Sequence, residues 1–359
     1  MNLFFCGDIM PGGVLPYQKT YIQPDLLNYM HGFDLRIGTL ECAIGSDIAP
    51  DETKMRGKKN IVYARNEDFH RVKDMKFDVV SLANNHVFDL GEEGLRNTIK
   101  LLEENNIAYC GAGMNLNQAS QPAVVIVNGI KIAFIAACMF GNKYLGYIEL
   151  AGENKSGVNP LEIDRICFDI KQAKEKYDYV FVLPHWGREH MLYPMNECIV
   201  MSKRMIESGA DGVFGSHAHV PQPFIKYRGK PVFFGMGNFL FPDFFMYPPR
   251  PIWYPDLEFD QSQVEERDGY PDEINVPSKA TWGKMERIGE FISVRIAKKK
   301  ISSKLKFVQM SKNNVLQFNT QNKSIMRKLL LLKLFIEFPL LKKIWVNLVR
   351  LRGGFYEEY

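Results

Sequence analysis

The sequence lacks the marks of an exported, membrane-spanning, disulfide-stapled or nucleic-acid-binding protein. Met1–Cys6 runs straight into Gly7-Asp8, with no basic leader, long apolar core or small-residue cleavage site. No segment reaches the roughly 18 uninterrupted apolar residues of a spanning helix. From these two absences the expectation is a chain that starts at residue 1 and works in the cytoplasm. The six cysteines (Cys6, Cys42, Cys110, Cys138, Cys167, Cys198) show no C-x-x-C spacing, and most lie in apolar runs such as NLFFC and IAAC. Buried, reduced, small hydrophobic roles are expected for them, not a disulfide framework. A net charge of +4, with no Lys/Arg run interleaved with aromatics at the N-terminus, gives no reason to expect a nucleic-acid partner. Internal repeats and low-complexity tracts are also missing.

What is present reads as a folded α/β protein. Hydrophobic residues make up 46% and charged residues 24% of 359, ordinary for a chain with a sizeable core. Short β-branched or aromatic runs predict strands at Asn2–Cys6, Leu35–Leu40, Asp78–Ala83, Ala123–Val127, Lys131–Ala136, Tyr179–Leu183, Gly212–Phe214 and Val232–Phe234. Helical patterns fall between several of them, at Glu67–Met75, Glu92–Glu104, Pro160–Lys176 and Asn196–Ser208. Pro160 suits a first helical turn and Gly209 a helix stop. Such alternation predicts buried, largely parallel strands. Residues 242–285 are rich in proline, aromatics and acids without clear period, and read as an irregular surface excursion, a lid or a partner surface. Two returning strands, Glu290–Ile296 and Lys304–Val308, would close a domain over 1–310. In the remaining 311–359, Met326–Arg352 mixes leucines and aromatics with seven basic residues and one acid, Glu337, and Pro339 divides it into two amphipathic helices. Such a tail suits an anionic membrane surface; a helical hairpin closing the domain or a dimer contact is the plainer alternative.

Five segments place polar ligand groups just after a predicted strand. They are Gly7-Asp8, Thr39-Leu40-Glu41, Leu82-Ala83-Asn84-Asn85-His86, Leu183-Pro184-His185-Trp186-Gly187 and Gly215-Ser216-His217-Ala218-His219. Beyond the carboxyl ends of strands, such loops converge on one rim. Singly each has a plain alternative: a turn or cap for Asp8, a solvated Glu41, a packed His185. The His217-x-His219 pair is sharper, because alternate strand residues share a face and two imidazoles there repel when protonated. Together Asp8, Glu41, Asn85, His185, His217 and His219 offer two carboxylates, an amide oxygen and three imidazoles. That set suits one or two divalent zinc, manganese or iron ions better than calcium. A carboxylate can bridge two ions, and bound metal activates water near neutral pH. His86, beside a ligand but not one itself, would protonate a leaving group, with Asp89 three residues on to orient it. His190 is within reach of the rim; His31 and His70 lie in polar stretches and are set aside.

GDIM, TLECAI, SLANNHVFDLG, CGAG, PHWGRE, GADGVFGSHAHVPQP and GMGNFLF resemble, in order and spacing, the motifs of the CapA family of capsule and poly-γ-glutamate biosynthesis proteins. That family is a branch of the calcineurin-like metallophosphatase superfamily, and the resemblance covers residues 1–240. It implies a four-layer β-sandwich flanked by helices in place of a simple doubly wound sheet. By the same resemblance Asp8 and His219 are ligands of a first metal, Glu41 is the bridge, and Asn85, His185 and His217 serve a second. His86 falls on the superfamily's catalytic acid. Met10 stands where the superfamily's Asp-x-His motif has histidine, so the first site is one ligand short. The function this implies is a metal-dependent hydrolase acting on a phosphoester, an anionic capsule polymer or its precursor. A non-catalytic accessory subunit of a polymer synthesis or export complex, holding membrane proteins at the inner membrane face, is the alternative.

Overall fold

The run NLFFCGDI forms β1 (Asn2–Ile9), buried at every position after Asn2. Strand alternation sends Phe4 and Phe5 to opposite faces. Phe4 packs with Phe33, Phe239 and Phe291, whereas Phe5 stacks on Phe214 with ring centroids 3.8 Å apart. Each such fully buried phenylalanine contributes roughly 1.5–3 kcal/mol, so this one strand welds two layers together. In this computed structural model residues 1–46, 48, 61–141, 147–247, 252–253, 264–268, 275–298 and 300–351 are described.

After β1 come α1 (Pro24–His31), β2 (Leu35–Leu40), β3 (Ala43–Ile44), β4 (Ile61–Ala64), α2 (His70–Asp74) and β5 (Val79–Ser81). Next are α3 (Gly91–Glu104), β6 (Ala108–Cys110), β7 (Ala112–Gly113), α4 (Leu116–Ser120), β8 (Ala123–Val127) and β9 (Ile130–Cys138). Then follow β10 (Gly157–Val158), α5 (Ile163–Lys176), β11 (Tyr179–His185), α6 (Asn196–Glu207), β12 (Gly212–Phe214), β13 (Phe224–Tyr227), β14 (Lys230–Phe233) and β15 (Asn238–Leu240). The last third holds β16 (Phe244–Tyr247), β17 (Ile252–Trp253), β18 (Glu265–Asp268), β19 (Ser278–Thr281), β20 (Ile288–Ala297), β21 (Lys300–Met310) and β22 (Leu316–Phe318). Two helices, α7 (Lys323–Glu337) and α8 (Pro339–Leu351), finish the described chain.

One sheet has the order β22-β21-β20-β1-β2-β5-β6, with β15 also paired to β1; the other runs β13-β14-β12-β11-β9-β8. Their centres are parallel, as the long apolar runs predict, while β20-β21 and β8-β9 are antiparallel. Phe5, Phe134, Phe181 and Phe214 fill the space between the sheets. Tyr29 of α1 and Phe33 just after it cover the far face of the first sheet, and α5 and α6 lie on β9, β11 and β12 of the second. The result is a helix-flanked sandwich of four layers, not a single doubly wound sheet.

Three local expectations need correction. Helix α5 starts at Ile163 and not at Pro160, because Asn159 and Leu161 are hydrogen-bonded to Cys138 and extend beside β9. The described parts of 242–285 are not an irregular excursion. They form β16 to β19, which join β3 and β4 in a six-stranded sheet of order β18-β19-β16-β17-β4-β3. Phe244, Phe245, Met246, Ala280 and Trp282 are buried there. Residues 248–251, 254–263 and 269–274 of that stretch lie outside the described residues. Finally, β22 is hydrogen-bonded to β21, so the sheet runs on to Phe318 before the helices begin. All six cysteines are buried and free.

Candidate metal centre

Four strand ends and one loop deliver the predicted residues to one buried pocket. Between β1 and β2 the register shifts after Phe5, so β1 carries one extra residue before Asp8. This bulge re-aims the carboxylate into the sandwich's end. Gly7 permits it, since a Cβ there would meet the Gly237 carbonyl oxygen at 1.9 Å. Glu41 follows β2 directly, and its backbone N–H is held by the Ile9 carbonyl at 2.9 Å. Asn85 and His86 follow β5 in a turn tied by Asn84, whose Oδ1 accepts from the N–H groups of His86 and Val87 at 3.0 and 2.8 Å. His185 is the last residue of β11.

His217 and His219 reach the pocket by a route the sequence did not foretell. They are not alternate residues of a strand. Both lie in the loop after β12 with φ of +93° and +55°, a left-handed backbone that side chains other than glycine seldom adopt. The surroundings hold the loop there: Ser216 N–H donates to the Pro184 carbonyl at 3.1 Å, and the Trp186 indole donates to the Phe234 carbonyl at 2.8 Å. Gly215 sits in that clamp with no room for a side chain, since a Cβ there would come within 2.1 Å of the same carbonyl oxygen.

The side chains then converge as two triads of buried ligand atoms, Glu41-His185-His217 and Asp8-Glu41-His219, with Glu41 common to both. His185 Nε2 lies 2.7 Å from Asn85 Oδ1, 3.1 Å from His217 Nδ1 and 3.3 Å from Glu41 Oε1. Atoms that each sit about 2.0–2.2 Å from one ion are separated from each other by roughly 3.0–3.5 Å, close to this spacing. On the other side His219 Nε2 is 3.8 Å from Glu41 Oε1, and Asp8 Oδ2 accepts from the His217 N–H at 3.2 Å.

Asp8 Oδ1, both Glu41 carboxylate oxygens and His217 Nε2 are buried and make no hydrogen bond. Buried polar atoms in folded proteins nearly always have partners, so four orphans in one pocket fit a cation. The electrostatics agree. Burial pushes the Asp8 carboxyl up to about 7. Burial, and then the charge of Asp8, raise Glu41 well above the usual carboxylate range. Burial also drives His219 down to about 3, and holds His185 and His217 well below the ordinary imidazole value, helped by the neighbouring histidines. Without a cation the pocket favours neutral acids beside neutral imidazoles. A divalent ion held there would keep those imidazoles neutral and favour the charged form of the carboxylates.

Residues not singled out from the sequence fix the orientations of the candidate ligands. Asn238 Nδ2 donates to the Glu286 carbonyl at 3.0 Å, so its Oδ1 accepts from His219 Nδ1 at 2.8 Å. His219 Nε2 is thereby left free to serve as the candidate ligand nitrogen. Ser216 Oγ is bonded to His185 Nδ1 at 3.0 Å and accepts from Thr39 Oγ1 at 3.2 Å. The only advance signal was a lone polar residue inside an apolar strand-end motif, GMGNFLF or GSHAH.

His86 Nδ1 meets Asp89 Oδ2 at 2.7 Å, and the same oxygen accepts from the Val62 N–H at 2.7 Å. Met10 is buried, with its Sδ accepting from the Gly12 N–H at 3.2 Å, so it packs on its own loop. His190 does reach the rim. Its ring lies 6.2 Å from that of His219, and its Nδ1 is 3.2 Å from Glu286 Oε1. Burial opposes its charge, but Glu286 and Glu189 outweigh this and raise its pKa. Trp282, from the segment expected to be irregular, walls the site with its ring 5.2 Å from His219. His31 and His70 bond to the Asp74 and Glu67 carbonyls, away from the pocket.

A family profile, bacterial capsule synthesis protein PGA_cap, matches residues 2–243. The chain belongs to that family. The PGA_cap segment runs from β1 to the start of the β16 region and contains every ligand candidate. Capsule biosynthesis protein CapA of Bacillus anthracis is 30% identical over 251 residues, 67% of this chain and 60% of that protein. PGA biosynthesis protein CapA of Bacillus subtilis (strain 168) is 31% identical over 195 residues, 52% of this chain and 49% of that protein. The chain thus spans about half to three-fifths of the length of these curated relatives. Among solved structures, a 5′-nucleotidase from Candida albicans SC5314 aligns with 92% of this chain and 56% of its own, at TM-score 0.41 and 11% identity.

Proposed function

We propose that this PGA_cap protein is a metal-dependent hydrolase of capsule or surface-polymer biosynthesis, acting on a phosphoester or on an anionic polymer or its precursor. One observation carries the reading: Glu41 is a fully buried carboxylate that makes no hydrogen bond and belongs to both ligand triads. Asp8, Glu41 and His219 would hold one ion, and Glu41, Asn85, His185 and His217 a second. The mixed N/O set suits zinc, manganese or iron. Such ions supply Lewis acidity and activate water near neutral pH. The chain's own contribution is positional and acid–base. Asn238 and Ser216 aim the imidazoles, and Asp89 orients His86 through Nδ1, which leaves Nε2 to give a proton to a departing oxygen. The polymer half of the proposal rests on the names of the two CapA relatives.

The second reading is a non-catalytic accessory subunit of a polymer synthesis or export complex, and Met10 favours it. A thioether packed on Gly12 leaves the Asp8-Glu41-His219 triad with a single imidazole. The deciding experiment measures bound metal and turnover of bis(p-nitrophenyl) phosphate and of anionic polymer by the purified, manganese-loaded protein. His86→Ala is expected to keep its metal and lose about 10²- to 10⁴-fold in turnover. A wild type that takes up no divalent ion, or a variant as active as wild type, sinks the hydrolase reading; metal uptake without turnover favours the accessory role.

A further inference from the structure

We infer that the C-terminal helix pair docks, apolar face first, on an anionic lipid surface. In a protein bathed by water, an amphipathic helix turns its apolar stripe to the core. Helix α8 does the reverse. Leu340, Leu341, Ile344 and Trp345 recur at the i, i+1, i+4, i+5 spacing of one stripe and are 69%, 44%, 48% and 39% exposed. Lys342 turns to the protein instead, with its Nζ 4.0 Å above the Tyr193 ring. Helix α7 has two apolar faces. Leu329, Phe335 and Ile336 are buried, whereas Leu330, Leu331 and Leu334 are 42%, 45% and 42% exposed. The outward faces of the two helices together make an apolar patch too concentrated to be ordinary surface scatter.

Charge selects the occupant. Met326–Arg352 holds seven basic residues and one acid, and that acid, Glu337, is 3.6 Å from Lys333. Arg327, Lys328 and Lys343 are exposed around the apolar face. Leucines and a tryptophan rimmed by lysine and arginine match a surface with apolar depth and negative headgroups. The helices have 15 and 13 residues, short of the ~20 needed to cross a bilayer, so they lie in the interface plane. The segment beneath α8 that carries Tyr193 also carries His190 at the rim of the candidate centre, which braces the lipid-facing helix on the site's own loop. The inference does not depend on the metal centre.

The test is flotation of the full chain with vesicles of phosphatidylcholine alone, or of phosphatidylcholine mixed with phosphatidylglycerol, at two salt concentrations. Binding is expected to be about tenfold or more tighter to the anionic vesicles and to weaken with salt. Leu341→Glu/Ile344→Glu should abolish it without lowering the midpoint of thermal unfolding, and Lys343→Glu should reduce the anionic preference alone. Wild type that floats with neither vesicle, or equally with both, overturns the inference. So does a wild-type dimer in sedimentation that the double variant splits without any vesicle binding, because a second copy then covers the face.

Discussion

Replacing Glu41 by glutamine in the metal-free protein separates the cost of burying carboxylates from the benefit of a cation. Asp8 has its carboxyl raised from 3.8 to about 7 by burial, and Glu41 moves in the same direction. Below about pH 3 folded and unfolded chains both hold these protons, and the pair adds no pH-dependent cost. As pH rises the unfolded chain releases them first, so stability falls until the folded groups also ionise. For Asp8 alone the shift is about three units at about 1.4 kcal/mol each, roughly 4 kcal/mol lost between pH 4 and 7. With an unfolding entropy of about 2.1 cal/mol/K per residue, 359 residues translate this into about 5 °C in Tm. Glu41 adds to the loss in wild type, and Glu41→Gln removes that addition. The assay is thermal unfolding of chelator-treated wild type and Glu41→Gln from pH 5 to 8, with and without manganese. Wild type should lose more Tm with pH than the variant, and manganese should reverse the loss in wild type far more than in the variant. Parallel pH curves, or equal rescue by manganese, would refute the argument that these carboxylates are poised for a cation.

Two further outcomes test the support around the site. Asn238→Ala frees the His219 ring to rotate and should weaken metal affinity by about 10- to 100-fold, measured by competition with a coloured chelator, with little change in Tm of the metal-free protein. Gly7→Ala drives a Cβ to 1.9 Å from the Gly237 carbonyl, so the β1 bulge must open; a loss of about 3 kcal/mol or more in denaturant melts is expected, and a neutral variant would show that the strand can shift.

Much of the site was legible in the chain because a buried parallel strand must be apolar on both faces and can carry polar groups only where it ends. NLFFCGDI, LRIGTLE and YVFVLPH each announce both a strand and the candidate ligand at its end. The orientation of those ligands was not legible. Asn238 and Ser216 lie 19 and 31 residues from the histidines they hold, and no local period connects them. The His217-x-His219 spacing suggested a shared strand face, yet the residues meet through left-handed backbone imposed by the packing of Trp186 on Gly215. The stretch 242–285 looked irregular because its strands are short and their sheet is completed by β17 pairing with β4, nearly 200 residues earlier in the chain. Pairing at that distance leaves no periodic trace.

By itself the sequence determined the alternation of strands and helices, which strand ends carry the candidate ligands, the methionine at position 10 and the division of the tail at Pro339. These are local consequences of side-chain period, ring closure in proline and donor chemistry. Only the tertiary structure decided that Glu41 stands between two triads and that Trp282 walls the pocket. The direction of the tail's apolar stripe was settled at the same level. Each depends on which surfaces meet when two sheets close on each other, and that is a property of packing between residues far apart in the chain.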